Sequence, residues 1–537
     1  MILGYTAADV RSAEAPLLAA GVPLMERAAF ALATVVAAEL AARRGRVRGA
    51  SVVVLAGAGN NGGDALHAGA LLARRGVAVR AVATSDRLHD EGRAALVAAG
   101  GELWTVADDG PGRPVWLGDA VAEAYGADVV LDGLLGIGAR GAPTGPGGDL
   151  VAMLAELLAD DPVGAPRPLV VAVDTPSGIG VDDGAVPRGA GRPAGAGAPD
   201  GAGPTPPRAA SARPPVLAAD LTVTFGVVKA GLLLPPAEAE TGRLRVVDLG
   251  LDLGDVRPAV ARLEAADVAA LWPVPGRDAQ KYSRGVLGVV AGTPSYPGAA
   301  VLTVSAAVRA GVGMVRYLGS PGVSATVVSH RPEVVAGEGR VQAWTLGPGV
   351  DPTDPTQAER VHAALAEVLA QELPAVVDAG ALSLLPRRLA PWVVLTPHAG
   401  ELAALLSGRG EDVDRGQVEQ EPLRWARRAH ELTGATVLLK GATTVVVGAG
   451  GAVYAQSDGP AWLATAGAGD VLAGLLGALL AGRAEDVGAD PSLVAALAAA
   501  AALVHGRAAH QANPGGPVGA LDVADALAGT IAELLRG

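Results

Sequence analysis

The sequence has no cysteine among its 537 residues. Disulfides, thiolate nucleophiles and zinc–thiolate sites are therefore excluded, and a reducing cytoplasm is the expected location. Aromatic residues are also scarce, with two Phe and six Tyr, and the formal net charge is -13. The chain thus lacks both the stacking platforms and the basic surface that nucleic acids require, so no nucleic-acid partner is expected.

Signals for export, membrane insertion and metal binding are missing as well. The N-terminus has no basic stretch followed by an apolar core, so it does not resemble a secretion signal. The longest apolar runs, such as residues 493–504, are shorter than the roughly 18 residues that indicate a membrane span, and we expect buried helices there. The eight His are scattered without a ligand spacing, so no protein-held transition metal is expected.

Short β-branched runs alternate with Ala- and Leu-rich segments of helical length, which predicts parallel sheets covered by helices on both faces. The chain is longer than one hydrophobic core supports, so we expect two α/β domains, 1–258 and 259–537. The turn composition of residues 250–258 and the renewed helical pattern near Leu263 place the boundary. The predicted strands are residues 51–56, 77–83, 127–132, 168–174 and 220–225, then 285–292, 374–378, 392–397 and 435–440.

One stretch breaks this alternation. Residues 186–215 are nearly all Pro, Gly, Ala and Arg, and such a segment cannot bury enough apolar surface to offset the entropy of ordering it. We expect a disordered surface insertion within the first domain, because the strand at 220–225 still belongs to the first sheet.

A glycine turn follows the first strand of the first domain. Gly57, Gly59 and Gly62 satisfy the GxGxxG pattern, and Asp86 lies near the end of the next strand, so a dinucleotide-binding dehydrogenase site is one interpretation. That pattern is weak, and residues 136–141 carry a second copy. The first turn also contains two amides and an acid, Asn60, Asn61 and Asp64, which favours a polar ligand or a cation over a bare pyrophosphate.

Two further acids end predicted strands of the same sheet. Asp132 and Asp174 lie at the carboxyl edge, where open α/β sheets bind ligands, and the turn after Asp174 returns Ser177 toward that edge. Each acid taken alone could simply cap its turn. Three acids and two amides at one edge indicate a polar site.

These motifs carry a resemblance. The stretches at 5–29, 57–76, 129–141 and 172–184 resemble the N-terminal YjeF family, the NAD(P)H-hydrate epimerases, over nearly all of 1–250. The resemblance implies a Rossmann-like domain with a potassium ion on Asn61, Asp132 and Ser177, and a catalytic or substrate-binding acid at Asp174. Ala65 and the insertion depart from the family pattern. The hydrate would be contacted by Asn60, Asn61, Gly62, Gly63, Asp64, Gly136, Ile137, Gly138, Ala139, Arg140, Gly141 and Ala142.

In the second half, ATAGAGDVLAG (464–474) places Asp470 behind a glycine turn that opens an apolar helix. Such a helix start offers free N–H groups to an anion such as phosphate. Asp470 is then either a helix cap or a base beside a bound phosphate.

The order of six motifs between 281 and 474 resembles the ADP/ATP-dependent NAD(P)H-hydrate dehydratases, whose fold is ribokinase-like. The resemblance implies Asp470 as base, with Gly467 and Gly469 donating N–H groups, and a substrate pocket at Ala299, Gly349 and His398. His398 could equally be structural, and Lys440 could be a solvated strand end. Gly380 and Arg284 depart from the family pattern. ADP or ATP, accompanied by Mg²⁺, would bind at Lys440, Gly441, Ala442, Thr443, Thr444 and Gly469.

The resemblance implies a bifunctional repair enzyme that interconverts the R and S hydrates and dehydrates the S form. Its substrate is NADH or NADPH hydrate, and a homo-oligomer without membrane or nucleic-acid partners is expected. One alternative is a vitamin or sugar kinase of the ribokinase type fused to a ligand-binding domain. The other treats the first half as a non-catalytic scaffold, against which Asn61, Asp132 and Asp174 argue.

Overall fold

The computed structural model describes residues 1–139, 141–160, 167–187 and 216–537. The predicted insertion falls almost wholly outside this range, and so does Arg140. The chain forms two compact units, Gly4–Pro258 and Ala259–Gly537, the second of which also includes Met1–Leu3.

The N-terminal unit is built on a parallel sheet of eight strands in the order β10-β8-β7-β6-β2-β3-β4-β5. A short parallel pair, β1 with β9, joins Gly4 to Val228 and Tyr5 to Lys229. The strands are β1 (Ile2–Tyr5), β2 (Ser51–Ala56), β3 (Ala78–Ala83), β4 (Glu102–Thr105), β5 (Arg113–Pro114), β6 (Val129–Gly133), β7 (Leu169–Val173), β8 (Leu221–Phe225), β9 (Val228–Lys229) and β10 (Arg243–Val247).

Helices cover both faces of this sheet. One apolar cluster includes residues of β2 together with α2 and α3, and a second includes residues of β6 together with α5 and α6. The strands therefore read as near-continuous apolar runs, as parallel strands buried on both faces do. The helices are α1 (Ala7–Ala19), α2 (Leu24–Arg44), α3 (Asn60–Arg74), α4 (Asp90–Ala98), α5 (Leu117–Gly126) and α6 (Gly145–Asp160).

The C-terminal unit has ten strands in the order β14-β13-β12-β15-β16-β17-β18-β19-β20-β11. The pairs β18 with β19 and β19 with β20 are antiparallel, whereas the other described strand pairs of this sheet are parallel, as expected. The strands are β11 (Val260–Arg262), β12 (Val286–Val290), β13 (Met314–Tyr317), β14 (Val335–Ala336), β15 (Ala343–Leu346), β16 (Ala375–Val377), β17 (Val393–Leu395), β18 (Thr436–Leu439), β19 (Thr444–Gly448) and β20 (Ala452–Gln456).

The largest apolar cluster of this unit joins α8, α14, α16 and α17 to the sheet. Helix α16 is the one described helix that is long and apolar enough to cross a membrane by itself, and 72% of its apolar window is buried inside the protein. The bent pair α1 and α2 passes the same test only if the two helices are counted together. The helices are α7 (Ala265–Leu271), α8 (Pro297–Arg309), α9 (Pro321–His330), α10 (Pro355–Gln371), α11 (Ala399–Ser407), α12 (Arg415–Gln420), α13 (Pro422–Thr433), α14 (Ala468–Gly482), α15 (Ala484–Ala489), α16 (Leu493–Ala512) and α17 (Ala520–Arg536).

All nine predicted strands are present, each within two residues of its expected start. The segment at 220–225 pairs in parallel with β7, which confirms that it belongs to the first sheet. In both units the polar residues singled out above follow the carboxyl ends of strands or open the helices behind them. The three-layer α/β fold thereby gathers them at one edge of each sheet.

Candidate active sites

The first site begins at the glycine turn between β2 and α3. A Cβ on Gly57 would lie 1.9 Å from the carbonyl oxygen of Leu134, and one on Gly62 would lie 2.1 Å from the carbonyl oxygen of Gly57. Only glycine permits these contacts. The turn therefore packs directly on the loop that follows β6.

Asn61, Asp132 and Ser177 converge on that loop. The amide nitrogen of Asn61 donates to the carbonyl oxygen of Leu135 at 2.8 Å. The Ser177 hydroxyl donates to Asp132 Oδ1 at 2.5 Å, and the Ser177 backbone N–H donates to Asp132 Oδ2 at 2.8 Å. Burial raises the pKa of Asp132, although the hydrogen bonds from Ser177 and Leu134 oppose the shift. The three residues predicted as one site are therefore brought together.

Asp174 follows β7 in the left-handed conformation, with a φ of 64°, which Asp tolerates better than most residues. Its Oδ1 atom accepts three hydrogen bonds: from the Lys229 amine at 2.5 Å, the Phe225 N–H at 3.0 Å and the Thr224 hydroxyl at 3.1 Å. Lys229 is 1% exposed. The ends of three strands, β7, β8 and β9, thus fix this carboxylate.

Asp64 is the fifth residue of α3, just beyond its first turn, and is partly buried. Burial raises its pKa well above the usual value, the negative charges of Asp174 and Glu14 add to the shift, and the charge of Lys229 opposes it. Burial likewise raises the pKa of Glu14 on α1. Asp64 therefore belongs to the same electrostatic group as Asp174 and Lys229.

The loop after β6 carries the other predicted contacts of this site. A Cβ on Gly136 would lie 3.0 Å from Cβ of Asn61, so this part of the loop lies against the first turn of α3. The carbonyl oxygen of Ile137 accepts a hydrogen bond from Arg11 at 2.9 Å. Arg140 lies outside the described residues.

The second site is at the start of α14. The N-cap of this helix is Gly467, and no side chain among the described residues caps it. The carboxyl group of Asp470, at the third helical position, receives no hydrogen bond from any described residue. Burial and the charge of Asp378 raise its pKa to about 7, although the charge of Lys440 opposes the shift. The helix-cap interpretation of Asp470 is therefore wrong.

Lys440 faces the same helix start. Its amine donates to Asp378 Oδ1 at 2.7 Å and lies 3.8 Å from Glu401 Oε2. A Cβ on Gly469 would lie 3.2 Å from that amine. Burial lowers the pKa of Lys440, but the charges of Asp378 and Glu401 outweigh it and the net shift is upward. The interpretation of Lys440 as a solvated strand end is wrong.

The residues predicted as a substrate pocket differ in their surroundings. Ala299 and Gly349 adjoin each other, because a Cβ on Gly349 would lie 2.6 Å from Cβ of Ala299. His398 caps α11: its Nδ1 atom accepts hydrogen bonds from the N–H groups of Gly400 at 3.1 Å and Glu401 at 3.2 Å. His398 thus has a structural role as a helix cap, which was the alternative interpretation from the sequence. Its contact with substrate stays a prediction.

The predicted nucleotide residues after Lys440 form the turn between β18 and β19. Gly441 and Ala442 are exposed, and Thr443 is buried. Gly441 and Ala442 are therefore accessible from solvent, and they directly follow Lys440, whose amine lies near Gly469.

Sequence reasoning missed several members of both sites, namely Glu14, Thr224, Lys229, Asp378, Glu401 and Thr396. The Thr396 hydroxyl donates to Asp378 Oδ1 at 2.9 Å. Lys229 and Asp378 are separated from their partners by 55 and 62 residues along the chain, so spacing alone could not pair them. Composition held one signal: the chain has only three lysines, Lys229, Lys281 and Lys440, against 39 arginines. Two of these three lysines form ion pairs with aspartates at the sites described here.

Both units match known protein families. Residues 287–531 match the family described as NAD(P)H-hydrate dehydratase, and residues 21–231 match the YjeF-related protein N-terminus. Each half thus belongs to a different domain class.

The order of these two domains recurs in similar proteins. The bifunctional NAD(P)H-hydrate repair enzyme of Mycobacterium tuberculosis is 42% identical over 493 residues, which cover 89% of each chain. An NAD(P)H-hydrate epimerase of Clavibacter michiganensis is 43% identical over 261 residues, covering 48% of this chain and 94% of its own. The chain belongs to the family of bifunctional NAD(P)H-hydrate repair enzymes.

Among solved structures, one similar protein is the ADP/ATP-dependent NAD(P)H-hydrate dehydratase of Bacillus subtilis, co-crystallised with ATP and Mg²⁺. It is 25% identical, with a TM-score of 0.44, and the match covers 51% of this chain and 99% of the Bacillus protein.

Proposed function

We propose that the N-terminal unit interconverts the R and S hydrates of NADH or NADPH. The C-terminal unit then dehydrates the S hydrate with ADP or ATP and releases inorganic phosphate. The two activities complement each other, because hydration yields both epimers and the dehydratase consumes one. The family to which the chain belongs supports this division, and the Asp174 and Asp470 carboxyls provide each unit with a group that can move protons.

In the dehydratase, Asp470 accepts the proton of the hydrate's ring hydroxyl as that oxygen attacks the terminal phosphoryl group. The N–H groups at the start of α14 and the Lys440 amine bind the phosphoryl oxygens. The phosphorylated oxygen then leaves as phosphate, and loss of a proton from the adjacent carbon restores the ring double bond. Ala299, Gly349 and His398 are the proposed hydrate pocket, and Gly441, Ala442, Thr443, Thr444 and Gly469 the proposed nucleotide contacts.

The residues at this site fit a magnesium ion that arrives with the nucleotide. No group of three His, Cys, Asp or Glu side chains within the described ranges could hold a metal by itself, and Mg²⁺ commonly binds through substrate phosphates and water. Such an ion neutralises phosphate charge.

In the epimerase, Asp174 is the proposed catalytic acid or base, and the loops at 60–64 and 136–142 contact the hydrate. The donor set of Asn61, Asp132 and Ser177 fits a potassium ion, because its oxygens are hard donors and it carries a single negative charge. The Ser177 hydroxyl and the Asp132 carboxylate are in direct contact, and the Asn61 amide nitrogen donates to the same loop, at Leu135. The ion would offset the burial of the Asp132 carboxylate and hold the loop after β6 against α3.

One observation carries the dehydratase assignment. The Asp470 carboxyl lies at a helix start that attracts phosphate, it has no hydrogen bond from a described residue, and its pKa of about 7 suits a base at neutral pH. A carboxylate that caps a helix would instead accept a hydrogen bond from a backbone N–H group of the first turn. We also propose a cytoplasmic homo-oligomer that binds neither membranes nor nucleic acid.

Purified R and S hydrates, each supplied with ADP, ATP or no nucleotide, test the proposal. We expect the S hydrate to regain the absorbance of reduced nicotinamide only with a nucleotide, with one phosphate released per turnover. The R hydrate should react at a comparable rate only when the epimerase unit is active.

The alternative of a vitamin or sugar kinase makes a different prediction. A kinase would leave a stable phosphorylated product and release no phosphate. Accumulation of such a product, with no return of absorbance, would contradict the dehydratase assignment.

A further inference from the structure

The ion pair between Lys229 and Asp174 is the most deeply buried one that we find in the described part of the N-terminal unit. The side chains are 1% and 11% exposed. Removing one partner of such a pair leaves an uncompensated charge, so its presence alone does not imply a gain in stability. The chain uses only three lysines, and this one lies at the proposed epimerase site. A functional reason for the pair is therefore worth testing.

The three hydrogen bonds to Asp174 all reach the same oxygen. Lys229, Phe225 and Thr224 donate to Oδ1, whereas Oδ2 receives no hydrogen bond from any described residue. The Lys229 amine also donates to the carbonyl oxygen of Phe225 at 2.7 Å and to the Thr224 hydroxyl at 3.2 Å. Lys229 is thus fixed by three acceptors, and the carboxylate of Asp174 is held through one of its two oxygens.

Asp64 is the second carboxyl group of this site. It has no described hydrogen bond that would hold it ionised, and burial together with the charges of Asp174 and Glu14 raises its pKa. The two carboxyls thus differ, because one has a lysine counter-charge within hydrogen-bond distance and the other does not. The charged groups that act on Asp64 are Asp174 after β7, Glu14 on α1 and Lys229 on β9. Arg11 acts on Glu14, and the His89 ring lies against Gly63 and pairs with the ring of His67.

We propose that Lys229 is a positioning residue of the epimerase site, and that it makes Asp174 the proton acceptor and Asp64 the proton donor of the reaction. This inference rests on the proposed epimerase function. Pairs of carboxyls with different environments commonly divide acid and base roles in this way.

The assignment gives a balanced reaction. Water adds to an enamine double bond with its hydroxyl on the carbon next to nitrogen, so the hydrate can lose that hydroxyl again. Asp64 donates a proton to the hydroxyl, the C–O bond breaks with its electron pair on the departing water, and the nitrogen lone pair forms a C=N bond.

Water then returns to the opposite face. A lone pair on its oxygen forms the new C–O bond, Asp174 takes the released proton, and the C=N electrons return to nitrogen. The product is the other epimer, and solvent returns the proton from Asp174 to Asp64. No oxidant or additional reactant is needed.

The test follows epimerisation of purified R hydrate by chromatography, with the full chain and without nucleotide, so that the dehydratase is idle. We expect Lys229→Met to lower kcat about 100-fold with KM within about 3-fold of wild type, since general acid–base groups contribute at least this much. Lys229→Arg should restore kcat to within about 10-fold of wild type. If Lys229→Met does not fold, Lys229→Gln carries the same test.

Two further variants separate a positioning role from a structural one. Lys229→Met combined with Asp174→Asn should be no slower than Asp174→Asn alone, because both changes remove the same acceptor. Asp64→Asn should lower kcat about 100-fold and abolish the loss of activity at alkaline pH that an ionising proton donor causes. Asp109→Asn, an exposed acid of the same unit, is the matched control and should be unchanged.

The inference is overturned if Lys229→Met retains kcat within about 3-fold, if the effects of Lys229→Met and Asp174→Asn multiply, or if Asp64→Asn keeps both the rate and the alkaline limb. Failure of the proposed function itself is distinguishable, because the wild-type chain would then not convert R hydrate at all.

Discussion

Each of the two sites contains an ion pair between a lysine and an aspartate, but the two pairs differ in burial and in their relation to the proposed reactive carboxyl. In the N-terminal unit, Lys229 is sealed in the protein and pairs with Asp174, the acid proposed to act on substrate. In the C-terminal unit, the side chain of Lys440 is 21% exposed and pairs with Asp378, while Asp470 nearby receives no hydrogen bond from a described residue. Lys229 therefore pairs with the carboxylate proposed to react, whereas Lys440 pairs with a different carboxylate, Asp378, and not with Asp470.

This difference follows from the chemistry proposed for each unit. A lysine that must bind phosphate oxygens has to reach the ligand, so it stays partly open beside Gly469. A lysine that fixes a carboxylate has to exclude water, because a buried pair is screened much less than an exposed one. Exposure of the amine, more than the identity of the pair, therefore distinguishes a ligand-binding lysine from a positioning lysine.

The largest expected effect separates the two carboxylates. Asp470→Asn should lower nucleotide-dependent dehydration of the S hydrate about 1000-fold while sparing nucleotide binding and epimerisation, since it removes the base and little else. Asp174→Ala should abolish epimerisation and leave dehydration of the S hydrate intact. Rates on the purified epimers and nucleotide titrations measure both.

The exposed Asp412 of the C-terminal unit offers a matched control, and Asp412→Asn should leave both rates unchanged. Equal loss of both activities in Asp174→Ala would contradict the division of labour. An Asp470→Asn enzyme that turns over at the full rate would remove the base from the mechanism.

The partly exposed Lys440 should matter next. Lys440→Met should lower kcat/KM of dehydration about 100-fold, because it removes a cation that binds the phosphoryl oxygens. Lys440→Arg should recover part of this loss through its charge. Steady-state kinetics with ATP and ADP measure the effect. A Lys440→Met enzyme with normal nucleotide kinetics would show that the ion pair between Lys440 and Asp378 has only a structural role.

Dehydration should depend on pH through Asp470. Its pKa is raised to about 7, chiefly by burial, and the ionised form is the one that accepts a proton. The rate should therefore be constant at alkaline pH and fall about tenfold per pH unit below about 7. Rate–pH profiles measured at saturating nucleotide check this, and an acid limb centred near the ordinary value for Asp would show that another group controls the reaction.

The smallest expected effect concerns stability. A carboxyl whose pKa is higher in the folded than in the unfolded chain stabilises the fold at low pH, and this contribution is lost as pH rises from about 4, the ordinary pKa of Asp, through about 7. A pKa raised by about three corresponds to at most about 4 kcal/mol, and solvent reduces this for a partly exposed carboxyl. Asp470→Asn should therefore raise the free energy of unfolding by about 2 kcal/mol at alkaline pH and by little at acid pH. Denaturant titrations at both ends of this range measure the difference, and an equal effect at the two ends would contradict it.

Sequence reasoning could place the strands and the loop residues because both follow local rules. Buried parallel strands are apolar runs, and polar residues just after them must lie at the carboxyl edge. Asn61, Asp132 and Ser177 were found in this way. The antiparallel edge formed by β18, β19 and β20 was missed, since short apolar strands give no indication of their direction.

Such local rules could not predict the ion pairs of Lys229 and Lys440. Lys229 ends a two-residue strand and meets Asp174 only because β7, β8 and β9 come together in three dimensions. Asp378 follows β16 and Lys440 follows β18, so the two residues meet only because these strands flank β17 in the sheet. His398 shows the reverse case, because its motif predicted a substrate contact while its ring nitrogen accepts two backbone hydrogen bonds at a helix start.

The scarcity of lysine also makes the protein simple to label. Lys229 is inaccessible and Lys440 is held by two carboxylates, whereas Lys281 is exposed. An amine-reactive dye used at limiting amounts would attach mainly to Lys281 and to the terminal amine. Both amines belong to the C-terminal unit, so this unit of the native enzyme could be labelled without introducing a cysteine.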